Sequence, residues 1–291
     1  MIVNKEEQLK YLYAFKEGKI QKGMGIGCEY DNYYVHKKGT MTVVIGLDNV
    51  GKTFFLLWYF LCLSVKHNVK WCIWSGENSA GQLTRDLIQM YSQQEIKNLT
   101  KPQIQKYYNI VSNWFTFISN KKMYNHKDLL KIFKESNCDA CAIDPYTALN
   151  HDRRVSQYER NYLICNDIRE FCNTTGKTVY IMTHPMTEAA RRVFPAGHEY
   201  ESYIQPPRKS DTEGGQVFAN RTDSFISIHR FINSPILYKM TQVRIEKIKD
   251  KLTGGKPTLA DPLCFDFNSG MGFTIGGVNP LKNELNKQLT I

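Results

Sequence analysis

The stretch Gly46-Leu47-Asp48-Asn49-Val50-Gly51-Lys52-Thr53 decides the reading of this chain, because it fits G-x-x-x-x-G-K-[ST] in the context that turns the pattern into a site. Before it, Met41-Thr42-Val43-Val44-Ile45 reads as a buried strand; after it, Lys52 to His67 reads as an apolar helix. The two glycines let the loop curl so that successive backbone N–H groups face one anion, and the helix N-terminus adds its partial positive charge. A nucleotide held there would meet Gly46, Asp48, Asn49, Val50, Gly51, Lys52, Thr53 and Phe54. Lys52 would reach the β- and γ-phosphates, and the Thr53 hydroxyl would face a metal ion. ATP and Mg²⁺ are therefore the expected cofactors.

Outward from this loop, short β-like runs alternate with longer helical patterns, the signature of a mostly parallel sheet wrapped by helices, an α/β fold. Strands are expected at Met41 to Ile45, Val69 to Ser75, Trp114 to Ile118, Ala140 to Ile143 and Thr178 to Met182. Helices are expected at Lys52 to His67, Ser79 to Ser92, Lys101 to Val111, His126 to Ser136 and Gln157 to Thr175. The alternation then stops. Phe225 to His229, Ile236 to Val243 and Leu263 to Phe267 read as strands joined by turns, so the sheet should end in antiparallel additions. Between His184 and Thr222 lies a long segment with Pro195, Pro206, Pro207 and Gly214-Gly215, of a length that is usually functional. The expected organisation is an N-terminal extension (1–20, with a short helix from Lys5 to Phe15), one α/β domain that carries the loop (21–278) and a C-terminal tail (279–291).

Bulk properties narrow the class. The chain has 291 residues, 42% of them hydrophobic and 23% charged, which is ordinary for a soluble globular protein. No apolar run reaches the roughly 20 residues of a membrane span, and the first ten residues carry Lys and Glu rather than a signal core. A cytoplasmic protein is expected, with no membrane partner. The eight cysteines lie mostly in apolar segments, as reduced buried thiols do. Cys138-Asp139-Ala140-Cys141 has half-zinc-site spacing but no second pair. A net charge of +10 suits a polyanionic partner such as nucleic acid, although a generic basic surface would give the same sum.

Hydrolysis needs a metal-holding carboxylate and a group that activates water. Cys141-Ala142-Ile143-Asp144 is an apolar strand ending in an acid, so Asp144 is the candidate second metal ligand beside Thr53; a capping Asp at a strand end is the plainer alternative. Glu77, where a strand stops and a helix starts in Trp74-Ser75-Gly76-Glu77-Asn78, is the candidate general base, unless it only helps to cap that helix. His184, after the strand that ends near Met182, could face the γ-phosphate or serve only as a structural histidine.

Taken in order, these motifs resemble the RecA-like ATPase domain of DnaB-type and Twinkle-type hexameric replicative helicases, a group common in phages. Gly25-Ile26-Gly27 to Lys38-Gly39-Thr40 resembles its lead-in to the loop, Trp74 to Ser79 with Gln82-Leu83 its catalytic-glutamate strand, Asp144-Pro145-Tyr146 its Walker B, and Met182-Thr183-His184-Pro185 its sensor strand. Gly214-Gly215-Gln216-Val217 to Asn220-Arg221-Thr222-Asp223 resembles the following segment. Lys249-Asp250-Lys251-Leu252-Thr253-Gly254 is similar to the family's K-x-R-x-x-G element, which reaches into the neighbouring subunit's nucleotide. Here Lys251 stands where the family has Arg, and a lysine cannot fork across two oxygens; Arg244 or Lys247 could take its place, and a solvated basic turn is the plainer alternative.

The resemblance implies an ATP-hydrolysing DNA helicase or translocase of replication. Its catalytic residues would be Lys52, Glu77 and His184, with Lys249 and Lys251 from an adjacent subunit. It also implies single-stranded DNA and a homo-oligomer, a hexameric ring, as partners, with a separate primase or polymerase beside them. DNA would be gripped by basic loops after the Walker B and sensor strands, at Arg153, Arg154, Arg191, Arg192, Arg208 and Lys209, with Tyr200 and Tyr203 available to stack on bases. Two alternatives stay open: a RecA- or RadA-like recombination ATPase that forms filaments, and an ATP-binding accessory module with little turnover that loads or regulates a replication partner.

Overall fold

A computed structural model describes residues 4–20, 22–151, 154–213 and 215–289. In chain order the elements are α1 (Lys5–Lys16), β1 (Met41–Ile45), α2 (Lys52–His67), β2 (Trp71–Ser75), α3 (Ala80–Ser92), α4 (Lys101–Ser112), β3 (Phe115–Ile118), α5 (His126–Glu135), β4 (Ala140–Asp144), α6 (Gln157–Thr175), β5 (Thr178–Thr183), α7 (Gln216–Arg221), β6 (Ser224–Arg230), β7 (Met240–Ile248), α8 (Lys251–Gly254), β8 (Leu263–Phe267), β9 (Phe273–Thr274) and α9 (Pro280–Leu289). Among the described residues nine strands form one sheet in the order β3-β2-β4-β5-β1-β6-β7-β8-β9. Pairing is parallel from β3 to β6, and β7, β8 and β9 are added antiparallel. This is the expected sheet, mostly parallel with antiparallel strands at its C-terminal end.

Strand residues alternate between two cores, as the period of two requires. Val44, Trp71, Ile73, Ala142, Tyr180, Met182 and Ile226 face the layer that contains α2 and α3. Met41, Val43, Ile45, Cys72, Trp74, Ile143, Val179 and Ile181 face the layer of α5 and α6. Every residue of β1, β2, β4 and β5 is buried, which is why these segments read as continuous apolar runs. Helix α2 is apolar almost all round because it is covered twice: Phe60 stacks on Trp71 of the sheet at 3.8 Å, while Tyr59 meets Tyr30 of the lead-in segment at 5.6 Å. Its buried Ser64 hydroxyl accepts from the Trp71 indole N–H.

The structure corrects two expectations. The strand expected to start at Ile236 starts at Met240, and Ile236 is 85% exposed. Backbone bonds from Tyr238 to Ser234 and from Met240 to Leu237 curl that stretch into a turn, and pairing with β6 selects the alternating Val243-Arg244-Ile245 run instead. The segment after Gly215 contains the short helix α7, whose Val217, Phe218 and Ala219 are buried. Residues Pro280–Leu289 form helix α9, with Leu281 fully buried in the same core as α2. By contrast, α1 buries none of its residues.

Candidate functional site

The strand order β2-β4-β5-β1 lines up the C-terminal ends that carry Glu77, Asp144, His184 and the glycine loop. Ligands bind at this edge of an open parallel sheet. A cleft of about 890 Å³ opens there, lined by Asp48, Asn49, Gly51, Lys52, Thr53, Glu77, Asp144 and His184 among others.

The loop is curled as the pattern requires. Asn49 and Gly51 have φ of 61° and 85°, the left-handed region that turns successive N–H groups toward one side. A Cβ on Gly46 would lie 2.6 Å from the Ile228 carbonyl oxygen and 2.8 Å from Lys52 Cγ, so no larger residue fits there. Lys52 Nζ donates to the carbonyls of Gly46 at 2.7 Å and Leu47 at 2.9 Å. Burial pulls this ammonium below its ordinary pKa, against the opposing charges of Asp144, Asp48 and Glu77.

Thr53 Oγ1 donates to Asp144 Oδ2 at 2.7 Å. Asp144 is 2% exposed, and burial pushes its carboxyl up to about 6, resisted by the Thr53 bond and the Lys52 charge. A hydroxyl and a carboxylate in contact beside the glycine loop are hard oxygen donors of the kind Mg²⁺ takes, so the donor set fits that ion. The raised value has a sign that can be tested. The folded protein keeps a proton that the unfolded chain has released across roughly pH 4 to 6, so this group lowers stability as pH rises through that window. Asp144→Asn should remove on the order of 2 kcal/mol of that loss. Melts of the two proteins at pH 4.5 and pH 7 check this, and an unchanged difference between the pH values would refute it.

His184 bridges the cleft. Its Nδ1 lies 2.8 Å from Asp48 Oδ1 and 3.4 Å from Lys52 Nζ, and its Nε2 lies 3.6 Å from Glu77 Oε1. The shorter contact assigns the Nδ1 proton to Asp48, since Lys52 is satisfied by the loop carbonyls. Glu77 is left to project into the cleft because the next helix is capped without it: Ser79 and Gln82 form a capping box, and Asn78 N–H donates to Ser75 Oγ.

Lys249 and Lys251 are not part of this cluster. Strand β7 ends at Ile248 opposite Ser224, the first residue of β6, so both lysines lie at the other edge of the sheet, roughly 15 Å away along the strands. Lys249 Nζ lies 3.9 Å from Asp223 and Lys251 opens α8, so neither serves the Lys52 cleft of its own chain. Of the basic loop residues, Arg154, Arg191, Arg208 and Lys209 are exposed beyond the ends of β4 and β5, and Arg153 lies outside the described residues. Arg192 is engaged within its segment by a two-point pair with the buried Asp211. Tyr200 and Tyr203 pack on Phe231 of the turn after β6, and Tyr203 also donates to Ser234 of that turn.

One neighbour of the cleft was not read from the sequence. Arg230, the last residue of β6, passes over the Phe267 ring, and one of its guanidinium nitrogens would lie 3.9 Å from a Cβ on Gly51. Burial lowers its pKa. In sequence it is one more basic residue at a strand end, and only the pairing of β6 with β1 brings it to the loop.

No protein-family model matches the chain. A Twinkle homolog protein, chloroplastic/mitochondrial, of Arabidopsis thaliana is 24% identical over 272 residues, which cover 82% of this chain and 35% of that protein. The chain thus spans about a third of that relative's length. Among solved structures, an ATPase domain superposes with a TM-score of 0.76 at 15% identity, covering 94% of this chain and 99% of that one. A DnaB-like replicative helicase, described with its interactions with primase, superposes with a TM-score of 0.70 at 14% identity, covering 94% of this chain and 67% of that one. The chain therefore has the RecA-like fold of DnaB-type helicase ATPase domains, and its ordered motifs resemble those of the DnaB and Twinkle group.

Proposed function

We propose that this chain is the ATP-hydrolysing motor domain of a replicative helicase or translocase that acts on single-stranded DNA as a ring. The observation that carries the reading is the contact of Thr53 with Asp144 beside the buried Lys52, with Glu77 and His184 across the same cleft. Bound Mg²⁺ would neutralise charge on the phosphates. For its part the chain binds and orients: the loop N–H groups and Lys52 would hold the phosphates, Thr53 and Asp144 the metal, and Glu77 would orient the attacking water and take its proton. His184 would link the γ-phosphate to the loop beyond β5, where Arg191, Arg208 and Lys209 are exposed.

The far-edge position of Lys249 and Lys251 supports the ring. From there they serve a second copy's nucleotide, not their own, and the exposed α1 is free to reach a neighbour. A single experiment tests this: native mass and ATPase rate measured with an ATP analogue or ATP, each with and without oligo-dT. A hexamer formed with both ligands and a rate raised by oligo-dT are the expected results. A helical filament would instead favour a recombination ATPase, and binding without turnover an accessory module, for which Lys251 in place of arginine is the supporting feature.

A further inference from the structure

Cys138-Asp139-Ala140-Cys141 plays no part in the nucleotide site, and among the described residues no cluster is suited to a metal ion. The fold builds something else there. All eight cysteines are free thiols. Cys138 lies between α5 and β4, partly exposed, with its Sγ 3.6 Å from that of the buried Cys141. Around it converge Ser136 Oγ at 3.1 Å, Lys177 Nζ at 3.8 Å and the thiol of Cys72, which neighbours Cys141 across the β2–β4 pairing. Lys177 is itself anchored by the carbonyls of Phe133 and Ser136, both at 2.7 Å, so its charge is held in place. The Asp139 carboxylate turns away to accept the Lys70 N–H. Cys138 is therefore a sulfur ringed by donors and one cation, with a second sulfur in van der Waals contact.

We propose that Cys138 is a nucleophilic thiol that small-molecule disulfides oxidise, with Cys141 as its resolving partner, closing a Cys138–Cys141 bond on the strand that ends in Asp144. In the first step the Cys138 thiolate attacks one sulfur of the small disulfide, whose S–S bond breaks and releases one thiolate. Cys141 then gives up its proton to that leaving thiolate and attacks Cys138 Sγ, expelling the second thiolate. Two protein thiols are oxidised to one disulfide while one small disulfide is reduced to two thiols. The surroundings support the assignment of roles. Hydrogen bonds from the Cys141 and Cys72 thiols, then Ser136 and the Lys177 charge, hold Cys138 below the ordinary thiol range, whereas burial pushes Cys141 up, as suits the partner that attacks second. The exposed Cys264 is a built-in control, raised by partial burial and by Asp266.

The test uses the reduced full chain and oxidised glutathione at pH 7, with the products mapped by mass spectrometry. The expected result is loss of two of the eight titratable thiols and a Cys138–Cys141 linked peptide; Cys141→Ser should stop at one glutathione on Cys138. Alkylation of Cys138 by iodoacetamide should lose little rate between pH 8 and pH 6, while that of Cys264 falls about tenfold per pH unit, as its thiolate fraction does. Eight thiols still titratable, a first adduct on Cys264, or a Cys72–Cys138 product would overturn the assignment.

Discussion

Lys52→Ala should abolish ATP turnover, lowering the rate by at least about 10²–10³-fold, the scale expected when one preorganised charge-stabilising donor is removed. The side chain is buried and its Nζ is already held at 2.7 and 2.9 Å by two loop carbonyls. That anchorage keeps one ammonium at the mouth of the loop, in a site where burial strengthens its pull on a phosphate. Alanine removes the charge and the brace together. Phosphate release measured with and without oligo-dT, alongside a circular dichroism spectrum to show that the variant folds, decides the matter. A folded variant with an unchanged rate would remove the loop from the mechanism.

Glu77→Gln should separate binding from chemistry. Glutamine keeps the size of the side chain and can still lie near His184, but it cannot take a proton. Nucleotide affinity should therefore stay within a fewfold of wild type while turnover falls by about 10²–10⁴, the usual worth of a positioned general base. The side chain is 56% exposed and 3.6 Å from His184 Nε2, so little folding energy depends on it. Were Glu77 only part of the helix cap, the substitution would leave turnover intact; Ser79 and Gln82 already fill that role. Single-turnover hydrolysis beside nucleotide titration distinguishes the two outcomes.

Much of the site was legible in the sequence because each part sits at the end of an apolar run with a sharp boundary. The β1 and α2 limits follow from Met41 to Ile45, the glycines and the apolar stretch to His67, and they agree with the structure residue for residue. Glu77 and His184 each follow a strand and Asp144 ends one, so a parallel sheet must carry all three to one edge. Where local signals were weak, the reading slipped. Ile236-Leu237-Tyr238 is apolar enough for a strand, yet the partner strand β6 takes a later register. Helix α7 has only six residues and no side-chain cap, so its Val217, Phe218 and Ala219 give no periodic signal until burial selects them. The contact of Tyr200 and Tyr203 with Phe231, more than twenty residues on, likewise has no signal in the local sequence.

Composition and spacing by themselves determined that this chain folds as an α/β layered sheet with a glycine loop between strand and helix and a carboxylate at each of two strand ends. Those are local facts, written in runs of five to sixteen residues. The tertiary structure alone decided the order β2-β4-β5-β1-β6, which sets His184 between Asp48 and Glu77 and, through β6, brings Arg230 beside Gly51. It also sent Lys249 and Lys251 to the far edge. Strand order and register depend on which buried faces fit one another across the whole core, and no window of sequence contains that information.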